Sequence, residues 1–303
     1  MEHIAILEFP SNLGLKEREK GVEPGVKKLP DWLRLHGLYE WLRPEIVYRA
    51  DPPPYGMHLD EESHVRNADG IAYYAIKQAN LLTKALDESK FPVVIGGDCS
   101  ILVGNALALR KRGNFGLFFL DGHTDYMWPP FSQTGGAAGM DLAMVTGHGH
   151  SKLTNIDQLS PYFKEENTWC VGNREYTDWY VKLIRDSKIS YTDLAQLRKK
   201  GPRKTAEAFL LMVQNKNLDG FWLHFDVDVL NNVIMPAVDS PQEDGLSYEE
   251  LNEILQPLFA DTRLVGLDIT ILDPDLDPGG KHTAEFVQKF GETFARYTAA
   301  KIG

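Results

Sequence analysis

The sequence predicts an α/β fold, a parallel β-sheet with helices on both faces. Short, continuous apolar runs alternate with segments of helical periodicity along the chain, the pattern of strands joined by helical crossovers. The runs are apolar at successive positions rather than at every second one, so both faces of each strand are expected to be buried. Polar, chemistry-bearing residues directly follow several of these runs, where ligands bind in sheets of this class.

Taken in order, Ile4 to Glu8 reads as the first strand and Gly25 to His36 as a helix, with Pro30 expected to distort it. Residues 65–88 place Ile71, Tyr74, Ala75, Leu82, Ala85 and Leu86 at helical spacing. Pro92-Val93-Val94-Ile95 is a buried strand ending in Gly96-Gly97, and Ile101 to Lys111 is a helix. Phe115 to Leu120, Thr168 to Val171 and Gly220 to Phe225 are further buried strands, and Arg263 to Ile271 closes the set. Helices are expected over 178–187, 203–216, 247–259 and 282–300. The Pro/Gly-rich segments 51–56, 129–139 and 273–280 read as loops rather than linkers. With no internal repeat or low-complexity run, residues 1–303 are expected to form one domain.

The net charge of −11 opposes binding to nucleic acid or to an anionic membrane through the global field. No stretch approaches the run of about 20 apolar residues that spans a bilayer. The start, Met1-Glu2-His3-Ile4, lacks the basic and apolar regions of a signal peptide. Two cysteines, Cys99 and Cys170, do not make a disulfide framework. These features lead us to expect a cytoplasmic protein that takes a small molecule, one that can be cationic.

The strongest chemical signal is Phe118-Phe119-Leu120-Asp121-Gly122-His123-Thr124-Asp125. Asp121, His123 and Asp125 alternate after a buried strand, and a continued extended backbone would point all three the same way. The plain alternative is a polar loop whose carboxylates cap a helix. In Trp222-Leu223-His224-Phe225-Asp226-Val227-Asp228 two more carboxylates alternate after an apolar run. Crowded carboxylates repel one another unless a cation or protons compensate. Together the two segments favour a metal site over solvated loop aspartates. In Val94-Ile95-Gly96-Gly97-Asp98-Cys99-Ser100, Asp98 or Ser100 can cap the following helix. Cys99 is either a metal ligand or a small buried apolar residue.

These segments, in this order, resemble the ureohydrolases: arginase, agmatinase and formimidoylglutamase. Gly21-Val22-Glu23-Pro24-Gly25, Thr134-Gly135-Gly136-Ala137-Ala138-Gly139-Met140 and Gly266-Leu267-Asp268-Ile269 extend the resemblance over most of the chain. The resemblance implies a three-layer αβα sandwich on a mainly parallel, roughly eight-stranded sheet. It implies a centre of two Mn²⁺ ions bridged by a hydroxide, which attacks a guanidinium or amidine carbon. Carried over, Asp121, His123, Asp125, Asp226 and Asp228 would be metal ligands, with Asp121 and Asp226 bridging. Asp125 would also be catalytic, accepting a hydrogen bond from the hydroxide. The family's trimers and hexamers imply a homo-oligomer.

Three positions depart from that pattern. Cys99 stands where the family carries a histidine ligand. A thiolate favours a softer ion such as Zn²⁺, or Ni²⁺, over Mn²⁺. Four aspartates and two divalent ions sum to zero with a neutral histidine, but to −1 with a thiolate, so either Cys99 stays a neutral thiol and binds poorly or a positive substrate balances the site; one or two ions per chain are expected. Ala138 replaces a histidine that shuttles protons or contacts substrate, a role His148 or His150 could take up. Ile271 replaces a glutamate that pairs with guanidinium, and Asp239 is the replacement carboxylate nearest to hand. Asp239 and His148, together with Arg174, which follows the strand Thr168 to Val171, are expected to contact substrate.

The reading these residues favour is a metal-dependent hydrolase of a non-peptide C–N bond in a small guanidino or amidino compound. The same departures leave open a catalytically inactive metal-binding relative. The set Asp121, His123, Asp226 and Asp228 leaves open a single-metal amidohydrolase.

Overall fold

The structure is a computed structural model that describes residues 3–299. Its strands are β1 (Ile4–Glu8), β2 (Ile46–Arg49), β3 (Phe91–Ile95), β4 (Gly116–Leu120), β5 (Thr168–Val171), β6 (Ser190–Thr192), β7 (Phe221–Asp226) and β8 (Leu264–Thr270). They form one sheet in the order β2-β1-β3-β8-β7-β4-β5-β6, and every pairing is parallel. This is the eight-stranded parallel sheet expected above.

The apolar runs bury both faces. Phe118, Leu120, Leu223, Phe225, Leu267 and Ile269 join a core with Phe209 of helix Pro202–Asn215, Leu255 of helix Tyr248–Ala260 and Phe290 of helix Lys281–Ala299. The alternate residues Leu117 and Phe119 join a second core with Ala75 of helix Ala68–Asp87 and Leu107 of helix Leu102–Arg110. The period of two along β4 thus divides one strand between two helical layers.

The edge strands β2 and β6 escape the sequence pattern for a physical reason. β2 alternates between half-buried and exposed residues, and β6 has three residues of which only Thr192 is buried. Neither shows a continuous apolar run. The segment expected to be one helix over 25–36 is a 3-10 turn, Gly25–Lys28, followed by helix Leu29–Leu35. Pro30 lies in the first turn of that helix, where its missing N–H costs no helical hydrogen bond, so it causes no distortion there. The final helix was expected to reach residue 300, which lies outside the described residues.

The order places β3, β8, β7 and β4 side by side, and parallel strands deliver their carboxyl ends to one edge. Cys99 follows β3, Ile271 follows β8, Asp226 ends β7 and Asp121 follows β4. Leu120 is level with Phe225 in the register, so Asp121 and Asp226 stand side by side.

The turn after β3 is packed against the turn after β1. A Cβ on Gly97 would lie 1.7 Å from the Ser11 carbonyl oxygen, which already accepts the Asp98 N–H at 3.1 Å. Ser11 Oγ also donates to Asp98 Oδ2 at 2.7 Å. Gly97→Ala must separate two backbone segments, and is expected to destabilise by about 3 kcal/mol. Gly139→Ala, where an added Cβ meets nothing within 4 Å, should leave the melting temperature unchanged, and thermal scans of the two variants check the contrast.

Candidate metal centre

The loops that leave β4 and β7 are laced together before any ion is considered. Asp121 Oδ1 accepts the His123 N–H at 2.6 Å. Asp226 Oδ1 accepts the Asp228 N–H at 2.8 Å, and Asp228 Oδ1 accepts the Gly122 N–H at 2.9 Å across the two loops. His123 Nδ1 lies 2.8 Å from Asp228 Oδ2. The backbone does not stay extended after β4 as the alternation implied. Asp125 sits in the left-handed region with φ +42°, a conformation aspartate tolerates better than most residues. Asp121, His123 and Asp125 nevertheless converge, with one ligand atom of each within 4.8 Å of the others.

Asp121 is fully buried, Asp226 and Asp228 nearly so, and Asp125 is 8% exposed. Burial, then repulsion from Asp125 and Asp228, pushes the Asp121 carboxyl well above its ordinary range. Burial with Asp141 and Asp228 does the same to Asp125, and burial with Asp228 and Asp121 to Asp226. Asp228 goes the other way, because the His123 charge and hydrogen bond outweigh its burial.

A divalent cation answers this arrangement. Asp121 Oδ2 is buried without a hydrogen-bond partner, although buried polar atoms are ordinarily satisfied. Carboxylate oxygens with one imidazole suit a hard or borderline divalent ion. The donor set therefore fits a metal.

Metal-stripped protein should lose stability as pH rises. Carboxyls whose folded pKa is raised stabilise the fold below their unfolded value, near 4, and lose that contribution as pH rises through the folded value. Asp121, Asp125 and Asp226 act this way, against Asp228 alone among the expected carboxylate ligands. Chelator-treated protein should therefore melt at higher temperature at pH 6 than at pH 8. Added Mn²⁺ should reverse that order, because metal binding needs the deprotonated ligands. Thermal scans at the two pH values, with and without metal, check it.

His123, Asp125, Asp226 and Asp228 line a cavity of about 240 Å³. Ala138 and Ile271 form apolar wall, while Trp179, Phe131 and Asp239 also line it. Ile271 holds φ +75° and donates its N–H to the Gly97 carbonyl at 2.8 Å. A β-branched residue in that region is strained by about 1–3 kcal/mol, a feature that clusters at functional sites.

Asp239 lines the cavity, with its Oδ1 3.2 Å from Arg18 Nε. Arg174 and His148 are corrections. The Arg174 guanidinium is buried behind the loop, where Nη2 donates to the Asp228 carbonyl at 2.8 Å and Nη1 to that of Val229 at 3.2 Å. It holds the Asp228 turn and does not line the cavity. His148 stacks on Trp128 with ring centroids 4.8 Å apart, and its Nε2 is 2.7 Å from Glu165 Oε1. It also lies off the cavity wall, so it does not replace the side chain missing at Ala138. His150 accepts the Lys152 N–H on Nδ1 at the start of helix Ser151–Thr154.

Two residues beside the site escaped the sequence reading. Asp141 and His224 are fully buried and lie next to Cys99, with one ligand atom of each of the three within 4.8 Å of the others. The signal for His224 was its place two residues before Asp226 on a buried strand. Asp141 directly follows the Thr134–Met140 loop.

A model of the arginase family matches residues 8–295. The chain belongs to the arginase family. The arginase of Staphylococcus aureus strain COL is 28% identical over 299 residues, covering 96% of each chain. The arginase of Bacillus subtilis strain 168 is 28% identical over 293 residues, covering 94% of this chain and 96% of the other. Among solved structures, the native arginase of Bacillus caldovelox superposes with a TM-score of 0.86 at 27% identity, covering 97% of this chain and 98% of the other. Arginase-family members bind a divalent metal, in keeping with the donor set on the cavity floor here.

Proposed function

We propose that this arginase-family chain is a metal-dependent hydrolase of a non-peptide C–N bond in a small guanidino or amidino compound. The observation that carries the reading is the cavity floor, where His123, Asp125, Asp226 and Asp228 meet beside the unpartnered oxygen of Asp121. The family hydrolyses guanidino and amidino C–N bonds with a bound metal. Asp121, His123, Asp125, Asp226 and Asp228 are the residues assigned to hold it, and their oxygen-rich set favours Mn²⁺. The metal supplies a nucleophile at neutral pH by acidifying water.

The chain's own residues do the rest. Asp125, which lines the cavity beside the other assigned ligands, is assigned to take a proton from the attacking water and return it to the leaving amine. Asp239 places a carboxylate in the cavity, and Trp179 and Phe131 add aromatic faces that attract a cation. The wall at Ala138 and Ile271 offers no polar atom from its side chains. We therefore assign a substrate whose reacting end is not clamped by a carboxylate at Ile271, and rank agmatine-like and other guanidino compounds equally with arginine. A homo-oligomer, on the family resemblance, and a cytoplasmic location, on the sequence features read above, complete the proposal. Light scattering on purified protein reads the assembly.

Mn²⁺-loaded protein should release urea or ammonia from at least one of arginine, agmatine, formimidoylglutamate and a hydroxyguanidine. Metal binding with no product from any of them counts against a hydrolase. Asp239→Ala should raise KM for the best substrate about tenfold, roughly 1.4 kcal/mol of binding, with kcat little changed. An unchanged KM would remove Asp239 from substrate recognition.

A further inference from the structure

Beneath the cavity floor lies a second group of ligand-type side chains. Cys99, Asp141 and His224 come from the turn after β3, the start of helix Asp141–Val145 and the middle of β7. All three are fully buried and none lines the cavity. Two of them carry polar atoms with nothing to bond. His224 Nε2 and Asp141 Oδ2 are both buried without a hydrogen-bond partner, 3.9 Å apart. That is too far for a hydrogen bond, which would draw them to about 3 Å. A nitrogen and an oxygen donor of one tetrahedral ion, each about 2.0–2.2 Å from it, stand about 3.3–3.5 Å apart, so this pair need close by only roughly half an ångström to share one.

The histidine is held for this task from behind. His224 Nδ1–H donates to Asp268 Oδ1. Asp268 Oδ2 also accepts Trp222 Nε1–H and, at 3.1 Å, Asn105 Nδ2–H. A carboxylate at Nδ1 assigns the proton there and leaves the Nε2 lone pair facing Asp141 and Cys99. A carboxylate behind a histidine is the usual support of a metal-bound imidazole. Cys99 Sγ sits 2.8 Å from Asp226 Oδ2 and 3.1 Å from Thr270 Oγ1. Asp121, His224 and Asp226 form an overlapping cluster within the same 4.8 Å limit, so Asp121 or Asp226 supplies a fourth donor.

We infer that Cys99, Asp141 and His224 form a closed, soft-ligand site for a Zn²⁺-class ion beneath the cavity, sharing a carboxylate with the hydrolytic centre above it. A thiolate and a carboxylate with a neutral imidazole offset one divalent ion, before the carboxylate shared with the centre above is counted. Sulfur, nitrogen and oxygen donors together select Zn²⁺, Co²⁺ or Ni²⁺ over Mn²⁺. Full burial makes the site structural in type, with no open position for substrate. The inference rests on the metal-binding part of the proposed function and not on any substrate.

The test uses full-length protein stripped of metal and reconstituted with Co²⁺. We expect a strong near-ultraviolet thiolate-to-cobalt charge-transfer band, present in Cys170→Ala and lost in Cys99→Ser. By elemental analysis of Zn²⁺-loaded protein, Cys99→Ser should bind about one ion fewer per chain. Asp141→Asn keeps nearly the same shape and, with His224→Gln, should weaken cobalt binding tenfold or more. A folded wild-type protein without the band, a band that survives Cys99→Ser, or a band unmoved by both Asp141→Asn and His224→Gln overturns the site. Asp141→Asn keeps the test open if His224→Gln does not fold. Hydrolysis is assayed separately, so loss of this site and loss of the proposed reaction are distinguishable.

Discussion

Asp226→Asn should lower kcat/KM by on the order of 10³-fold or more, a barrier increase of about 4 kcal/mol, without destabilising metal-free protein. Both halves come from the same geometry. Asp226 ends β7 where Asp121 follows β4, and the register sets the two side by side. Asp226 also lines the cavity, so it reaches both the assigned ion and the reacting space. The amide of the variant still offers an oxygen to the Asp228 N–H, which Asp226 Oδ1 accepts at 2.8 Å, so the turn is preserved. What disappears is a carboxyl held well above its ordinary range by burial and by Asp228 and Asp121, and the new amide nitrogen meets Cys99 Sγ, 2.8 Å from Oδ2, as a donor to sulfur. A carboxyl raised in this way costs the metal-free fold stability as pH rises, so at pH 8 the variant's melting temperature should equal or exceed that of chelator-treated wild type. Activity lost together with several degrees of melting temperature would point to a structural role instead. Active sites commonly trade stability for function in this direction.

Much of the fold was legible because the central strands are apolar on both faces. Val93 to Ile95, Leu117 to Leu120 and Phe221 to Phe225 are fully buried, and such runs alternating with helical segments are the pattern of a parallel sheet covered on both faces. The edge strands Ile46–Arg49 and Ser190–Thr192 were not legible, since half-exposed residues carry no such run. Short helices such as Asp141–Val145 and Leu194–Lys200 offer too few turns for a periodicity to declare itself.

The candidate site divides in the same way. Asp121, His123, Asp125, Asp226 and Asp228 lie within two short stretches, and the structure gathers them where local sequence spacing already pointed. Arg174 and His148 were misplaced because polarity near a strand end does not say which way a side chain turns. Arg174 turns under the loop to two backbone carbonyls, and His148 turns onto Trp128 and Glu165. The cluster of Cys99, Asp141 and His224 was invisible for another reason. Its members come from three distant segments, and only the packing of β3, β7 and helix Asp141–Val145 brings them together.

Asp268 is where fold and site depend most on one side chain. It is fully buried on β8, and the register pairs it with His224 on β7 and Val94 on β3. Its carboxylate accepts hydrogen bonds from Trp222, His224 and Asn105. Asp268→Ala strands three buried donors at once. Each orphaned buried donor costs about 1–3 kcal/mol, and removing one partner from a buried charged network costs about 3–5 kcal/mol. Denaturant unfolding should therefore show a loss of about 3–5 kcal/mol. By contrast, Lys182→Ala, which breaks the exposed pair with Asp186, should change stability by no more than about 0.5 kcal/mol. Asp268→Asn keeps the volume, but its amide nitrogen must face a donor on one side, so an intermediate loss is expected. The same variant releases the His224 ring from its orientation. If an ion sits on Nε2, its affinity should fall about 10–100-fold, the usual effect of removing such a supporting carboxylate. Cobalt titration of Asp268→Asn separates the two consequences. Weakened unfolding with unchanged metal affinity would make Asp268 a core anchor alone, whereas loss of both would tie the core network to the ion above it.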